Sequence, residues 1–320
     1  MSTSGCSMLR SRERRAAPAA PRIALVTDAA DWHARVLSTA FAATGARTVP
    51  LRLERCSLDT TAPAGLRIAG FRAALPDAVM VRSMSGGSFE AVTLRLGVLH
   101  ALDALGVPVW NDARAIERCV DKSMTSFLLR RAGIPTPATW ATQRLAAARA
   151  LCARETRSGP LVLKPLFGSQ GRGLRLIRSP ADLPEPAAVA GVYYLQRYVA
   201  VERAGFRDFR VLVCAGRIVA GMARHAPTWI TNVKRGGQPV AAAIDTEMRA
   251  LALAAAAAVG ARYAGVDLLY GPDGRPTVLE VNSMPAWSGL QQVTGTDIAA
   301  TLAGELMQAM APPAGRCAAQ

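Results

Sequence analysis

The 320-residue sequence predicts an N-terminal α/β domain with a parallel sheet, followed by an α+β region rich in antiparallel strands. Up to residue 112, short aliphatic runs alternate with helix-like stretches, which is typical of a mostly parallel sheet. Beyond residue 160, apolar runs are joined by short glycine-containing turns, which favours hairpins. The content of 51% hydrophobic and 19% charged residues indicates a globular chain and excludes a largely disordered one.

The first domain is predicted over residues 21–112. Its strands are expected at 22–27, 48–53, 78–82 and 107–110, and its helices from about 31 to 43 and at 89–105, with Gly45 and Gly106 after the helix ends. The loop Ser83 to Ser88 follows a strand, at the carboxyl edge where open α/β sheets bind ligands. An ordinary flexible turn is the competing interpretation of this loop.

The second region begins with two predicted helices, at 113–119 and 123–132. Strand-like runs follow at 161–164, 174–177, 192–199, 209–213 and 217–222. Asp245 or Thr246 can cap an alanine-rich helix that ends at Gly260. We expect this helix to be scaffold.

Charge and cysteine content restrict the class of protein. The formal charge of +15 raises the question of nucleic-acid binding, but the arginines are interleaved with Ala and Leu and form no aromatic-basic ladder, which argues against that class. Residues 1–20 are interpreted as a flexible basic arm and 313–320 as a flexible tail. The chain has no apolar run long enough for a membrane span, and six scattered cysteines fit a reducing cytoplasm.

Scarce residue types mark candidate phosphate-binding positions. Only Lys122, Lys164 and Lys234 are lysines among 38 basic residues, which favours positions that need a compact ammonium, with chance retention as the alternative. The segment Gly168 to Gly173 joins two predicted strands. Its backbone N–H groups can cradle a phosphate, although a plain hairpin tip explains it equally well.

A late hairpin carries the most specific pattern. Two apolar runs, 266–270 and 277–281, flank a Gly-Pro-Asp-Gly turn. If the outer glycines of this turn pair, Asp267 lies opposite Val278. Period-two alternation then places three oxygen-bearing side chains on one face: Asp267, Glu280 and Asn282. These donors suit Mg²⁺, and a solvent-facing polar stripe is the alternative, which the apolar neighbours disfavour.

Taken together, these motifs resemble the ATP-grasp superfamily, and within it the RimK-like amino-acid ligases, which add glutamate to an acceptor carboxylate. The resemblance covers about residues 113–310 and is weaker before them. It implies a pre-ATP-grasp domain over 21–112 and a two-lobed ATP-grasp fold, with lobe A over 113–195 and lobe B, with the metal site, over 196–312.

The resemblance also implies roles for individual residues. Residues expected to bind ATP are Lys122, Lys164, Gly168, Ser169, Gln170, Gly171, Gly173, Gln196, Arg197, Tyr198, Val199, Asp208 and Lys234. Residues expected to face the γ-phosphate and the acceptor carboxylate are Arg210, Arg224, Asn232 and Arg235. Asp267, Glu280 and Asn282 would hold two Mg²⁺ ions, with Mn²⁺ as an alternative metal.

One position departs from the family pattern. The adenine segment has Arg197 before Tyr198, where the family has an acidic residue before an aromatic one. Because the base is recognised there largely through the backbone, we expect ATP binding to persist. The three histidines, His33, His100 and His225, fit no nucleophile pattern and are expected to be ordinary structure.

The reaction implied by the resemblance is amide formation. An acceptor carboxylate would attack the γ-phosphate of ATP, and an amine, from glutamate by expectation, would displace phosphate from the acyl phosphate. A coenzyme or other small molecule is the favoured acceptor. The alternatives are a ribosomal protein C-terminus, a glutathione-synthetase-like dipeptide product and a non-catalytic ATP-binding module docked on RNA or the ribosome. A cytoplasmic homo-oligomer without membrane or nucleic-acid partners is expected.

Overall fold

A computed structural model describes residues 19–168, 170–200 and 205–311 of the chain. The strands are β1 (Arg22–Val26), β2 (Arg47–Leu51), β3 (Ser57–Leu58), β4 (Leu66–Arg67), β5 (Ala78–Val81), β6 (Val109–Trp110), β7 (Thr139–Thr142), β8 (Leu161–Lys164), β9 (Arg175–Ile177), β10 (Tyr193–Arg197), β11 (Phe206–Cys214), β12 (Arg217–Ala226), β13 (Gln238–Ala241), β14 (Tyr263–Tyr270) and β15 (Pro276–Asn282). The α-helices are α1 (Trp32–Ala43), α2 (Phe89–Ala104), α3 (Ala113–Val120), α4 (Lys122–Arg131), α5 (Leu145–Glu155), α6 (Thr246–Val259), α7 (Ser288–Gln291) and α8 (Ile298–Met310).

The N-terminal sheet has the order β2-β1-β5-β6, and its strands pair in parallel. The central strands β1 and β5 are almost entirely buried, because parallel strands of this kind are covered on both faces. Asp31 caps α1 by accepting a hydrogen bond from the N–H of Ala34, and Gly45 follows its end with a φ of 81°. The predicted parallel α/β architecture is confirmed.

Two antiparallel sheets follow. The smaller has the order β7-β10-β8-β9 and packs on α5, with its own apolar core. The larger has the order β13-β12-β11-β14-β15, and α6 covers one of its faces. The mixed α/β and α+β class predicted from the sequence is therefore present.

Helices α3 and α4 precede the smaller sheet in the chain but pack on the larger one. Cys119 of α3 and Leu129 of α4 belong to the core formed by α6 and the larger sheet. The lobe boundaries given above stay a prediction.

The N-terminal domain and the larger sheet share one core, in which Leu25 and Trp110 pack with Leu212 and Leu302. Asn111 is fully buried between the two units. Its amide donates to the carbonyl oxygens of Tyr263 at 2.7 Å and Ser283 at 2.6 Å, and its carbonyl oxygen accepts from the N–H of Arg262 at 2.6 Å. These bonds fix the N-terminal domain on lobe B.

Across the ranges that the structure describes, none of the helices is both long enough and apolar enough to pass through a membrane. The predicted basic arm, apart from residues 19 and 20, and the predicted tail lie outside those ranges.

Candidate active site

A cleft of about 1100 Å³, counting the space open to solvent, lies between the two antiparallel sheets. Most residues predicted to bind ATP, metal or substrate line it. They are Lys122, Lys164, Gly168, Gln170, Gly171, Gln196, Arg197, Tyr198, Val199, Asp208, Arg210, Arg224, Asn232, Asp267, Glu280 and Asn282. The fold thus brings together motifs that lie up to 160 positions apart in the chain.

Two lysines lie at the inner end of the cleft. Lys122 is the first residue of α4, and its ammonium donates to the carbonyl oxygens of Gly168 at 2.7 Å and Leu166 at 3.4 Å. Burial lowers the pKa of Lys164, an effect that the charge of Glu280 opposes and the nearby Lys122 ammonium reinforces. The two lysines and the acidic residues therefore share one electrostatic environment.

The glycine-rich loop between β8 and β9 reaches across the cleft. Gly171 has a φ of 68°, and a Cβ built on it would lie 2.5 Å from Oδ1 of Asn232 and 2.8 Å from Ile230. Only a residue without a side chain fits this contact between the lobes. Ser169 lies outside the described residues, and Gly173 packs on Pro165 rather than lining the cleft.

The adenine segment explains the departure at Arg197. The Arg197 guanidinium points to lobe A: it donates to a Glu155 carboxylate oxygen at 2.6 Å and to the carbonyl oxygen of Gly159 at 2.9 Å. The Arg197 side chain therefore joins β10 to the end of α5. Gln196 is 2% exposed, and its amide nitrogen has no partner among the described residues. Tyr198 packs edge-on against Trp229 across the opening, with ring centroids 6.1 Å apart.

The register of the late hairpin differs from the prediction. Asp267 pairs with Glu280 and not with Val278, because the turn closes by a bond from Gly271 N–H to Arg275 O and because a β-bulge follows Asp267. Leu279 is the extra residue of the bulge, and it lines the cleft. The predicted common face survives this shift, since Gly265, next but one to Asp267, pairs with Asn282.

A buried ion network surrounds Asp267. The Arg210 guanidinium holds this carboxylate with two bonds of 2.7 Å, and Arg224 lies 2.9 Å from it while also forming a two-bond pair with Asp208. Burial by itself raises the pKa of Asp267, but the two guanidinium groups outweigh it and hold the pKa at about 2. Asp267 is therefore a carboxylate at neutral pH and already attracts cations.

The donor set at this end of the cleft fits Mg²⁺. Asp267 and Glu280 are direct cross-strand neighbours, whose Cβ atoms lie about 5 Å apart in such pairs. Asn282 lies on the same face, two residues farther along β15. Carboxylate and amide oxygens without sulfur or imidazole are what Mg²⁺ prefers. Asp267, Glu280 and Asn282 are the residues that would hold the metal.

Two further predicted residues, besides Gly173, lie away from the cleft lining. Lys234 and Arg235 belong to a one-turn 3₁₀ helix, Val233–Arg235, closed by bonds from the N–H groups of Arg235 and Gly237 to the carbonyl oxygen of Asn232. This tight turn leaves Asn232 in the cleft and directs the following residues elsewhere. Lys234 lies close enough to His33 of the N-terminal domain for its charge to affect that imidazole.

Sequence reasoning missed an apolar part of the lining. Val162, Leu269 and Leu279 line the cleft together with Arg172 and Trp229. Period-two alternation could have found Val162 and Leu269, because each lies two positions from a predicted ligand on the same strand. Leu279 could not be found, because its direction depends on the bulge.

Solved structures that share this fold include those of an ATP-grasp ligase. The ligase PsnB, complexed with a phosphomimetic variant of its minimal precursor, Mg and ADP, superposes with a TM-score of 0.70 over 90% of this chain and 98% of that chain, at 25% identity. The D-cycloserine synthetase DcsG shares the fold, with a TM-score of 0.66 over 91% of this chain and all of that chain, at 21% identity. The fold and the cleft thus define an ATP-grasp ligase.

A profile of the RimK-like ATP-grasp domain matches residues 119–306. The chain is 31% identical over 308 residues to a tetrahydromethanopterin:alpha-L-glutamate ligase of Methanosarcina acetivorans, covering 84% of this chain and 93% of that protein. A ligase of the same name from Methanococcus maripaludis is 36% identical over 207 residues, 63% of this chain and 70% of that one. The chain belongs to the RimK-like ATP-grasp family of amide-forming ligases, whose fold binds ATP and Mg²⁺.

Proposed function

We propose that the protein joins L-glutamate to a carboxylate of a small-molecule acceptor, with a pterin coenzyme as the first candidate. The observation that carries this proposal is the extent of similarity to glutamate ligases named for tetrahydromethanopterin. A match over 84% of the chain extends beyond the two lobes into the N-terminal domain. The similarity therefore includes part of the N-terminal domain, which lies outside the two lobes that form the nucleotide cleft.

The cleft supports a defined placement of ATP. Val162 of lobe A and the pair Leu269 and Leu279 of lobe B supply apolar surface for the base, and the unpartnered Gln196 amide supplies a donor. The N–H groups of Arg197 and Tyr198 already donate to backbone oxygens, at 2.8 and 3.1 Å. Base recognition by the backbone would therefore use the carbonyl groups of this segment and the N–H of Val199.

The phosphates would extend toward the two lysines and the acidic hairpin. Lys122 and Lys164 supply compact positive charge, and the glycine-rich loop supplies backbone donors. Bound at Asp267, Glu280 and Asn282, Mg²⁺ would neutralise phosphate oxygens as charge develops on them. Arg210 and Arg224 lie beside these carboxylates and add positive charge at the position proposed for the transferred phosphoryl group.

The proposed chemistry has two steps. A carboxylate oxygen of the acceptor attacks the γ-phosphorus of ATP, and ADP leaves with the electron pair of the broken P–O bond. The amine of glutamate, as its free base, then attacks the acyl carbon, and inorganic phosphate leaves. Positioning and charge neutralisation by the lysines and arginines supply the catalysis, and the proposal requires no nucleophilic side chain.

Coupled measurement of ADP release tests this function. Release from MgATP should require both L-glutamate and an acceptor, first a tetrahydromethanopterin-type pterin, and mass spectrometry should show the glutamyl product. Asp267→Asn and Glu280→Gln should each lower turnover by at least about 100-fold while the circular dichroism spectrum stays unchanged. Asp273→Asn, in the hairpin turn, is the matched control. ADP release that ignores every amino acid offered would contradict the proposal.

A peptide acceptor is the second candidate, because PsnB was solved with its precursor peptide bound. Offering peptides and small carboxylates in parallel and weighing the products separates the two, and a glutathione-like dipeptide would be detected in the same experiment. A ribosomal protein acceptor, a homo-oligomer, Mn²⁺ as the metal and a cytoplasmic location remain predictions.

A further inference from the structure

The carboxyl edge of the N-terminal sheet carries polar groups that the proposed phosphoryl chemistry leaves unused. From β1 the chain first adds β2 on one side and then crosses to β5 on the other. The crevice outside β1 and β5 is therefore the topological switch point, where open α/β sheets bind ligands. Arg82 directly follows β5, and its backbone N–H donates to the carbonyl oxygen of Val26 at the end of β1, at 2.8 Å.

The Arg82 guanidinium is buried without a full set of partners. The residue is 7% exposed. One terminal nitrogen donates to the carbonyl oxygen of Met284 at 3.3 Å, and the other lies 4.0 Å from the Asp31 carboxylate, beyond hydrogen-bond distance. Its Nε has no partner among the described residues. Since a buried cation is costly unless it is paired and hydrogen-bonded, an acceptor is missing at this position.

A second unpartnered donor lies beside it. Trp287 is 1% exposed, and its indole N–H has no partner among the described residues. The Arg82 guanidinium carbon lies 5.4 Å from the Trp287 ring centroid. Buried donors in native structures are almost always satisfied, so each of these two neighbouring donors indicates an acceptor that the described residues do not supply.

The surrounding charges favour an anion as that acceptor. The Nε2 of His33 accepts from the backbone N–H of Trp287 at 3.1 Å, so Nδ1 carries the proton and donates to Asp31 at 3.1 Å. Asp31 is thus engaged by a neutral imidazole and offsets Arg82 only in part. The ammonium of Lys234 lies close enough to add positive charge at His33.

This group lies next to the metal end of the cleft. Met284, whose carbonyl oxygen accepts from Arg82, is two residues beyond Asn282, which lines the cleft. Two residues of extended chain span at most about 7 Å. Arg82 is therefore hydrogen-bonded to the segment that directly follows Asn282, a candidate metal ligand.

We propose that Arg82, with the indole N–H of Trp287, binds a carboxylate of one of the two substrates that the ligase joins. The proposal rests on the proposed ligase function. A planar guanidinium recognises a carboxylate through paired N–H donors, and burial strengthens such bonds. Two sources share this chemistry: the carboxylates of the amino acid that are not involved in amide formation, and a carboxylate of the acceptor other than the one that reacts.

Steady-state kinetics on Arg82→Gln tests the assignment and separates the two sources. Loss of a charge-assisted hydrogen-bonded pair should raise the KM of one substrate by about 10- to 100-fold. The KM for ATP should change by less than about twofold, because Arg82 does not line the nucleotide cleft. An increase confined to glutamate assigns the amino acid, and one confined to the acceptor assigns the acceptor. Unchanged KM values for both would overturn the proposal.

Analogue discrimination distinguishes binding from a structural role. If the assigned substrate is glutamate, its amides glutamine and isoglutamine are the analogues to compare. The analogue that lacks the bound carboxylate should bind more weakly than glutamate to the wild type. It should bind as well as glutamate to Arg82→Gln. A structural clamp would weaken acid and amide alike, and that result would overturn the proposal. If Arg82→Gln fails to fold, Arg82→Lys keeps the charge and permits the same comparison. Adding ethylguanidinium to Arg82→Ala should restore part of the affinity.

The matched control is Arg22→Gln, at the amino end of β1. Arg22 begins β1, at the end of the sheet opposite Arg82, where its guanidinium donates to the carbonyl oxygen of Gly70 at 2.8 Å and stacks on Phe71 with 4.4 Å to the ring centroid. All three KM values should stay at their wild-type levels.

A thermal-shift measurement with L-glutamate and with glutarate makes the proposal independent of turnover. Stabilisation of the wild type that is absent in Arg82→Gln supports the carboxylate site even if no substrate pair releases ADP, in which case only the proposed function fails. Equal stabilisation of both proteins, or of neither while all KM values remain unchanged, overturns the proposal.

Discussion

Replacing Arg224 with methionine removes the most deeply buried cation of the cleft. Arg224 is 2% exposed and connects two carboxylates, those of Asp208 and Asp267. Methionine is also unbranched, but it is shorter and carries no charge. The variant therefore leaves both carboxylates in place and removes only the positive charge that pairs with them.

The expected loss follows from what each carboxylate keeps. Asp267 retains its two bonds to Arg210, whereas Asp208 has no second cationic partner among the described residues. At an effective dielectric constant of about 20, one charge pair at 4 Å contributes about 4 kcal/mol, which desolvation partly offsets. Breaking a buried pair on one side costs about 3–5 kcal/mol. We expect the free energy of unfolding at pH 7 to fall by that amount.

Urea unfolding followed by circular dichroism measures the loss. Combining Arg224→Met with Asp208→Leu should restore most of it, because no uncompensated charge then remains. Arg217→Met is the control: its guanidinium pairs with Glu305 but is 67% exposed, so its loss should stay within about 1 kcal/mol. A loss below about 1 kcal/mol for Arg224→Met, or no recovery in the double variant, would refute the reasoning.

Three further results are expected. Gly171→Ala should raise the KM for ATP, because its Cβ would collide with Asn232. Gly216→Ala is the control, since Gly216 has a similar φ of 71° but open space around it, and it should cost only about 1–2 kcal/mol in stability. Equal KM values for ATP in the two variants would contradict this reason. Arg197→Gln should lower the free energy of unfolding in urea by about 1–3 kcal/mol. The KM for ATP, measured by ADP release, should stay within about threefold of the wild-type value. A larger rise in this KM would mean that the Arg197 side chain contacts the nucleotide. Burial, followed by the charge of Arg82, lowers the pKa of His33 from 6.5 to about 4. The unfolded chain therefore binds a proton at His33 more readily than the folded one, and the free energy of unfolding should drop by about 2 kcal/mol from pH 7 to pH 5. His33→Asn should remove this pH dependence, and an unchanged dependence would contradict the assignment.

Local patterns predicted much of this fold. Strands of the first domain and the glycines after helix ends follow from side-chain periodicity and backbone freedom, as Gly260 shows with its φ of 77° at the end of α6. Helix α5 received no prediction, and its first turn lacks the usual signal, because Arg144 makes no side-chain capping bond. Helix α8 does begin with a capping residue, since the Asp297 side chain accepts from the N–H of Ala300, but the sequence analysis did not predict this helix.

The candidate site was predictable in its members more than in its contacts. The rarity of lysine in the sequence marked Lys122 and Lys164. The glycine-rich turn and the alternation of side chains along the hairpin marked Asp267. The bond between Arg210 and Asp267 joins residues 57 positions apart, and only the pairing of β11 with β14 brings them together. The position of Lys234 depends on a tight 3₁₀ turn. Tertiary hydrogen bonds decide such details, and no local pattern encodes them.

The shared core of the N-terminal domain and lobe B has a consequence for motion. The smaller sheet and α5, from Thr139 to Arg197, form a unit of about sixty residues with a separate core. The chain enters this unit after Ile134 through Pro135 and Pro137, and the carbonyl oxygen of Pro135 accepts from the N–H of Val278 at 2.8 Å. The smaller unit is therefore joined to the rest of the protein at an anchored crossing, and a rotation of this unit would leave the shared core of the N-terminal domain and lobe B intact. Residues at the edge between the N-terminal domain and the larger sheet, such as Asn111 and Ser283, would then keep their relative positions while the opposite wall of the cleft moves.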